Sequence, residues 1–226
     1  MKRIVDAFSK LYSLPSGNPV SQHQDSLSVN ETETDATFNQ LNIDAPGTTF
    51  YVVDKEYYKD LYNAKSPVLG NVNCDGVALV KHEDKPYMLL VELKSNLDTD
   101  KISGAFQQEV RSFLKMTSSL SLCDGYDIND IGIRGVIACH PFKSETARTK
   151  CLDNLLMERD AGKKDARFKY RMVTERKITA RFANCQWFIP ADALTDDLRN
   201  HELMLSLVFG ANYDDQSCSI PLADVI

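Results

Sequence analysis

Three side chains of complementary chemistry lie in the stretch Asn73-Cys-Asp-Gly-Val-Ala-Leu-Val-Lys-His-Glu-Asp-Lys-Pro-Tyr-Met-Leu-Leu-Val-Glu-Leu-Lys-Ser95: the carboxylates of Asp75 and Glu92 and the ammonium of Lys94. Paired carboxylates are hard oxygen ligands suited to Mg²⁺ or Mn²⁺. The backbone carbonyl of Leu93, between Glu92 and Lys94, offers a third oxygen. A metal held there polarises a phosphoryl oxygen and acidifies a bound water, while the lysine steadies the water or the developing charge. The same residues also suit a plain salt bridge from Lys94 to Asp75 or Glu92 on a solvated sheet end. Spacing alone leaves both readings open.

For these side chains to meet, the stretch must fold back on itself. Two apolar runs, 76–80 and 87–91, flank the charged break Glu83-Asp84-Lys85-Pro86, the pattern of a β-hairpin. A loop of those four residues sets His82 opposite Tyr87, Asp75 opposite Lys94 and Val77 opposite Glu92. Opposed residues share a face, as do residues two apart along a strand. Asp75, Glu92 and Lys94 then converge at one end of the hairpin. Ala78, Val80, Tyr87, Leu89, Val91 and Leu93 form the opposite, core-directed face. The convergence depends on loop parity, because a slip of one residue separates the aspartate from the other two.

Asp75-Gly76 followed by Glu92-Leu93-Lys94 at the end of an apolar strand, with a helix after it, resembles the PD-(D/E)XK nuclease superfamily. The match covers about 67–141, and Cys74 stands where that family often has proline. The resemblance implies a restriction-endonuclease-like core and Mg²⁺-dependent hydrolysis of phosphodiester bonds, with Mn²⁺ substituting. Asp75, Glu92 and the Leu93 carbonyl would hold the metal, and Lys94 would position or help activate the attacking water. The family's next helix often contributes a glutamine or a basic residue, a role open here to Gln107 or Gln108.

A chain of 226 residues with 43% hydrophobic residues suits one domain with a real core. Within it, 1–47 reads as an N-terminal helix and polar loop arm, 48–141 as the catalytic core, and 142–226 as a basic helical segment followed by C-terminal strands and helix. No apolar run approaches membrane-spanning length, and the first residues lack a signal-peptide pattern. The six cysteines are scattered with no Cys-x-x-Cys, and the four histidines are isolated. Both point to reduced thiols in a cytoplasmic compartment rather than a zinc site. The net charge of −6 hides an asymmetry: from 141 to 181 there are twelve Lys/Arg against six Asp/Glu. Such a segment could grip phosphates beside an acidic metal site, or be an ordinary solvated surface of mixed charge.

Along the chain, residues 1–14 read as a short amphipathic helix with Ile4, Val5, Phe8, Leu11 and Tyr12 at helical spacing. Residues 15–37 read as a long polar loop, 48–53 as a strand, and 55–63 as a helix capped by Asp54. Glu56 and Asp60 on that helix are further candidate carboxylates for the metal site, with surface exposure the better expectation for each. A helix over 101–120 buries Ile102, Phe106, Val110, Phe113 and Leu114 and lines a polar stripe with Gln108, Arg111 and Lys115. Residues 131–139 read as a central strand, with His140 at its end, and 144–160 as a basic helix. Phe168-Lys-Tyr-Arg171 interleaves aromatics with cations, a composition suited to nucleic acid. Residues 182–189 read as a strand, 191–200 as a helix, and 203–209 as an edge strand or helix, while 218–226 carries no signal.

The expectation is an α/β domain with a mixed central sheet flanked by helices. Its expected activity is metal-dependent hydrolysis of nucleic acid, DNA ahead of RNA. Asp75, Glu92, Lys94 and Gln108 would be catalytic, and Gln108, Arg111 and Lys115 would contact the substrate phosphate. A homodimer or a partner subunit and a role in defence against foreign DNA fit such an enzyme by analogy. The alternatives are a non-catalytic, nucleic-acid-binding subunit with the same fold, and acid–base chemistry on a small molecule.

Overall fold

The polar run after the first helix is a strand that forms one edge of a mixed eight-stranded sheet. The computed structural model describes residues 1–13, 15, 17–58, 66, 69–70, 72–185 and 189–226. Helix α1 (Lys2–Leu11) buries Ile4, Val5 and Phe8 and leaves Leu11 55% exposed. Strand β1 (Val20–Asn30) pairs antiparallel with β2 (Gln40–Val53) along nearly its whole length. The polar loop expected over 15–37 is therefore a strand over 20–30, with a connection over 31–39 after it, while the helix expected at the start of 1–47 is α1. In β1 only Val20, Leu27 and Val29 are buried, so an exposed edge strand leaves no alternating apolar pattern to read.

Strand β2 changes phase along its length. Leu41, Ile43 and Ala45, then Phe50 and Val52, face the same core, and the switch from odd to even positions falls around Pro46-Gly47. Gly47 has φ 78, and its N–H donates to Asp25 Oδ1 at 2.7 Å. Asp25 sits at the irregularity between Gln24 and Ser26 with φ 67. The extra residues are in β2, where 45–48 lie opposite Asp25 alone, and this bulge keeps the apolar set inward on both sides of it.

The helix expected over 55–63 is described over Lys55–Tyr58 (α2), and 59–63 lie outside the described residues; strands β3 (Gly76–His82) and β4 (Lys85–Lys94) then make the expected hairpin with a tighter turn. Only Glu83 and Asp84 connect them, at φ 46 and 68, the two-residue turn whose twist matches paired strands. His82 therefore faces Lys85, not Tyr87, and Gly76 faces Val91. The expected four-residue loop is corrected by two positions, so facing is unchanged. Pro86 is accommodated because β4 begins pairing with its next neighbour only at Tyr87.

Asp98 caps α3 (Thr99–Leu120) by accepting the N–H groups of Asp100 and Lys101. Strand β5 (Gly132–Cys139) then lies parallel to β4. Ser144 caps α4 (Glu145–Asp160), followed by α5 (Ala166–Glu175) and β6 (Lys177–Arg181). The strand expected over 182–189 ends at Arg181 instead. Phe182–Asn184 is a 3-10 turn, and 186–188 lie outside the described residues. The helix expected over 191–200 reduces to a 3-10 turn and α6 (Asp196–Asn200). Strand β7 (Glu202–Phe209) lies inside the sheet between β5 and β6, and β8 (Ser217–Pro221) runs parallel to β2.

The strand order is β1-β2-β3-β4-β5-β7-β6, with β8 beside β2. Helices α1, α3, α4 and α5 pack against one face around Phe8, Phe106, Phe113, Leu155 and Met172. On the other face β1, β2 and the C-terminal residues Leu222 and Val225 close over Val80, Leu89, Val91 and Val136. All six cysteines are free thiols, and no helix of the described residues is long and apolar enough to cross a membrane.

Candidate active site

The hairpin register sets Asp75, just before β3, across from Glu92 near the end of β4. Asp75 Oδ2 accepts the backbone N–H of Leu93 at 2.8 Å, and its Oδ1 lies 3.5 Å from Lys55 Nζ. The Glu92 side chain is 1% exposed. Its Oε1 is ion-paired with Lys94, and Oε2 has no hydrogen-bond partner among the described residues. Lys94 Nζ also donates to Gln108 Oε1 at 3.0 Å, and Gln108 Nε2 donates to the Asn73 carbonyl at 3.0 Å. Asp75, Glu92, Leu93, Lys94 and Gln108 thus come together.

Helix α3 holds the segment that delivers Asp75. Beyond Gln108, Ser112 Oγ accepts the Cys74 N–H at 3.0 Å. Lys115 Nζ donates to the Gly70 carbonyl at 2.6 Å and to Asn73 Oδ1 at 2.5 Å. Gln108, Ser112 and Lys115 follow one another at helical spacing, and each grips the approach to β3. Lys115 is fully buried, so its expected contact with a substrate phosphate is corrected to a structural clamp. Arg111 is half-buried and is not among the described residues lining the cleft at Lys94.

The electrostatics follow from burial. Desolvation pushes the Asp75 carboxyl up to about 6, opposed by the Leu93 N–H, Lys55 and Lys94 and reinforced by Glu31. Burial and then Asp75 push Glu92 well above the usual carboxylate range against the pull of Lys94. Burial draws the Lys94 ammonium down, but Glu92 and Asp75 outweigh it and leave the group raised. Glu109, fully buried on α3, is raised by burial and then by Glu92.

A cleft of about 530 Å³ opens over Lys94. Its walls are Glu31, Glu33 and Asp35 from the β1–β2 connection, Leu93 to Ser95 from the end of β4, and Asp100, Lys101 and Gln108 from α3. Glu31, Lys55 and Glu109 have no counterpart in the sequence reading. Glu31 sits in a segment read as loop and Lys55 on a helix where Glu56 was considered, while Glu109 stands seven residues after Ile102 and three after Phe106, the helical spacing of the buried stripe. Glu56 is exposed, and Asp60 lies outside the described residues.

Other expectations change with packing. Phe168 packs on Phe106, with ring centroids 4.5 Å apart and the planes tilted by 39°. Lys169 is buried between Glu158 and Asp165. Phe168-Lys-Tyr-Arg171 therefore packs into the protein rather than presenting its lysine to a ligand. Within the basic segment Arg148, Arg159, Lys163, Arg171 and Arg181 also pair with acidic neighbours. His140 follows Cys139, the partner of Lys94 across β4 and β5. Its Nε2 pairs with Thr37 Oγ1 at 3.1 Å, and the Thr37 N–H donates to Ser95 Oγ at 2.9 Å.

Among the described residues no group of three or more His, Cys, Asp or Glu side chains has metal-ligating geometry. The oxygens gathered here are two carboxylates and a backbone carbonyl. The N–H and C=O of one strand residue lie on the same edge, so the Leu93 carbonyl projects on the edge where its N–H meets Asp75. With the unpartnered Glu92 Oε2, this oxygen-only set fits a hard divalent cation and no softer metal. No protein-family model, curated protein or solved structure matches this chain.

Proposed function

We propose that this protein is a divalent-metal-dependent phosphodiesterase acting on nucleic acid, DNA ahead of RNA, built on a restriction-endonuclease-like core. The observation that carries the reading is the meeting of Asp75 and Glu92, with the Lys94 ammonium paired to Glu92 and held by Gln108 at the mouth of a cleft. Asp75, Glu92 and the Leu93 carbonyl would hold Mg²⁺ or Mn²⁺, which supplies charge to a phosphoryl oxygen and acidifies water. The chain does the rest. Gln108 fixes Lys94 by accepting its N–H. Lys94 donates to the attacking water oxygen or to the charge developing on the phosphate. Burial of Glu92, 1% exposed, keeps bulk water from its pair with Lys94, which strengthens the electrostatics there. Lys101, at the rim of the cleft, is placed to meet an adjacent phosphate.

The test is incubation of wild type, Glu92→Gln and Lys94→Ala with plasmid, linear duplex, single-stranded DNA and RNA in Mg²⁺, Mn²⁺ or EDTA. Metal-dependent cleavage by wild type alone supports the assignment, and equal cleavage by all three proteins sinks it.

A second reading, a non-catalytic binding subunit with the same core, draws on one observation. Both ligand carboxylates already have lysine partners, Lys55 on Asp75 and Lys94 on Glu92. Thermal unfolding at rising Mg²⁺ separates the two, because a working site is stabilised by mass action and a self-neutralised one is not.

A further inference from the structure

A second, smaller cleft of about 230 Å³ lies beside the first, at the carboxyl ends of β4 and β5. Leu97, His140, Phe142, Lys143 and Tyr213 line it. The Tyr213 ring lies 5.2 Å from His140 and carries the Lys143 ammonium 4.8 Å from its centroid. His140 is 4% exposed, and with Nε2 committed to Thr37 its Nδ1 has no partner among the described residues. A buried ring nitrogen without a partner is costly unless a ligand uses it. The clefts are joined through Ser95, Thr37 and His140, because Ser95 lines the first, its Oγ accepts the Thr37 N–H, and Thr37 Oγ1 pairs with His140. The carboxyl ends of parallel strands are where open α/β sheets bind ligands.

We infer that this cleft is a base-binding subsite, holding one unpaired nucleobase next to the phosphate bound at Lys94. The inference rests on the phosphodiesterase reading. The volume is below the roughly 300–1,000 Å³ of sites that enclose a whole small molecule, and so suits one planar part of a longer ligand. Tyr213 supplies the stacking face, as aromatics do in single-strand binders. His140 Nδ1 meets a polar base edge. Lys143 is an exposed side chain, so a base that takes its place over the ring leaves the ammonium beside it for the adjoining phosphate. The substrate is therefore single-stranded or frayed at the cut, since a base within a duplex cannot reach the ring.

The test measures binding in EDTA of a fluorescein-labelled oligothymidylate and of an abasic oligomer with the same number of phosphates. Wild type should prefer the oligomer with bases by about tenfold, Tyr213→Ala should lose that preference, and Tyr213→Phe should keep it. If Tyr213→Ala keeps the preference while wild type cleaves with Mg²⁺, the subsite is overturned and the phosphodiesterase stands. A Tyr213-dependent preference without cleavage in any metal upholds the subsite and removes the phosphodiesterase. Failure of wild type to bind either oligomer overturns the subsite, and the cleavage assay with metal then decides the phosphodiesterase by itself.

Discussion

Asp75 Oδ2 accepts the Leu93 N–H at 2.8 Å, tying the carboxylate that precedes β3 to the residue between Glu92 and Lys94. This bond fixes one carboxylate oxygen and leaves Oδ1 to Lys55. It also makes Asp75 a stability determinant as well as a candidate ligand.

The Asp75 carboxyl is raised from 3.8 to about 6, so without metal the folded state holds this proton more tightly than the unfolded chain. Its contribution is present below pH 4 and is lost as pH rises through about 6, with an upper bound of about 3 kcal/mol. Glu92 and Glu109 shift in the same direction. Urea unfolding in EDTA between pH 4.5 and 7.5 should show stability falling across the window. Asp75→Asn, which can still accept the Leu93 N–H, should flatten the fall and abolish cleavage. Equal slopes for the two proteins would exclude this carboxyl as the source.

Lys115→Met should cost about 2–4 kcal/mol, because the Gly70 carbonyl and Asn73 Oδ1 lose a buried donor. Binding of the folded variant to nucleic acid should keep the salt dependence of wild type. A slope reduced by about one would restore Lys115 to the phosphate contacts.

Gly135 leaves room for Glu109. A Cβ there would lie 2.6 Å from both Glu109 Oε2 and Leu205 Cδ2, so Gly135→Ala should destabilise by about 1–3 kcal/mol. Combined with Glu109→Ala the loss should be less than additive, since one of the two clashes is gone. Strict additivity in denaturant titrations would argue against this contact.

The hairpin turn stores mild strain, with positive φ at both Glu83 and Asp84. Replacing the pair by Asn-Gly, the residues this turn prefers, should add about 0.5–1 kcal/mol without changing activity. A drop in melting temperature would mean that the charged side chains, including the Asp84 pair with Lys81, outweigh the backbone gain.

Lys94→Ala should abolish cleavage and also destabilise the fold by about 3 kcal/mol, because Glu92 is left buried without its partner. Lys94→Ala with Glu92→Gln should recover much of the stability but none of the activity. Calorimetry of the single and double variants, beside the cleavage assay, separates the two roles.

What the sequence determined by itself is what neighbours along the chain decide. The apolar runs of β3, β4 and β5 and the Asp98 and Ser144 caps are local signals, and they mark the hairpin, the central strand and the long helices. The nearness of Asp75, Glu92 and Lys94 was legible for the same reason. Pleating repeats every second residue, so a register wrong by two still puts these side chains on the correct face. Tertiary structure decided the rest. Positive φ at Glu83 and Asp84 set the register, and pairing with β2 turned the polar residues of β1 into an edge strand. Lys115 lies inside although it stands off the apolar stripe of α3, and Glu109 lies inside because position 109 is on that stripe in spite of its charge. Lys115 finds its acceptors on the 70–74 segment and Glu109 finds its space at Gly135. Burial of a polar group depends on partners distant in the chain, and no local period records them.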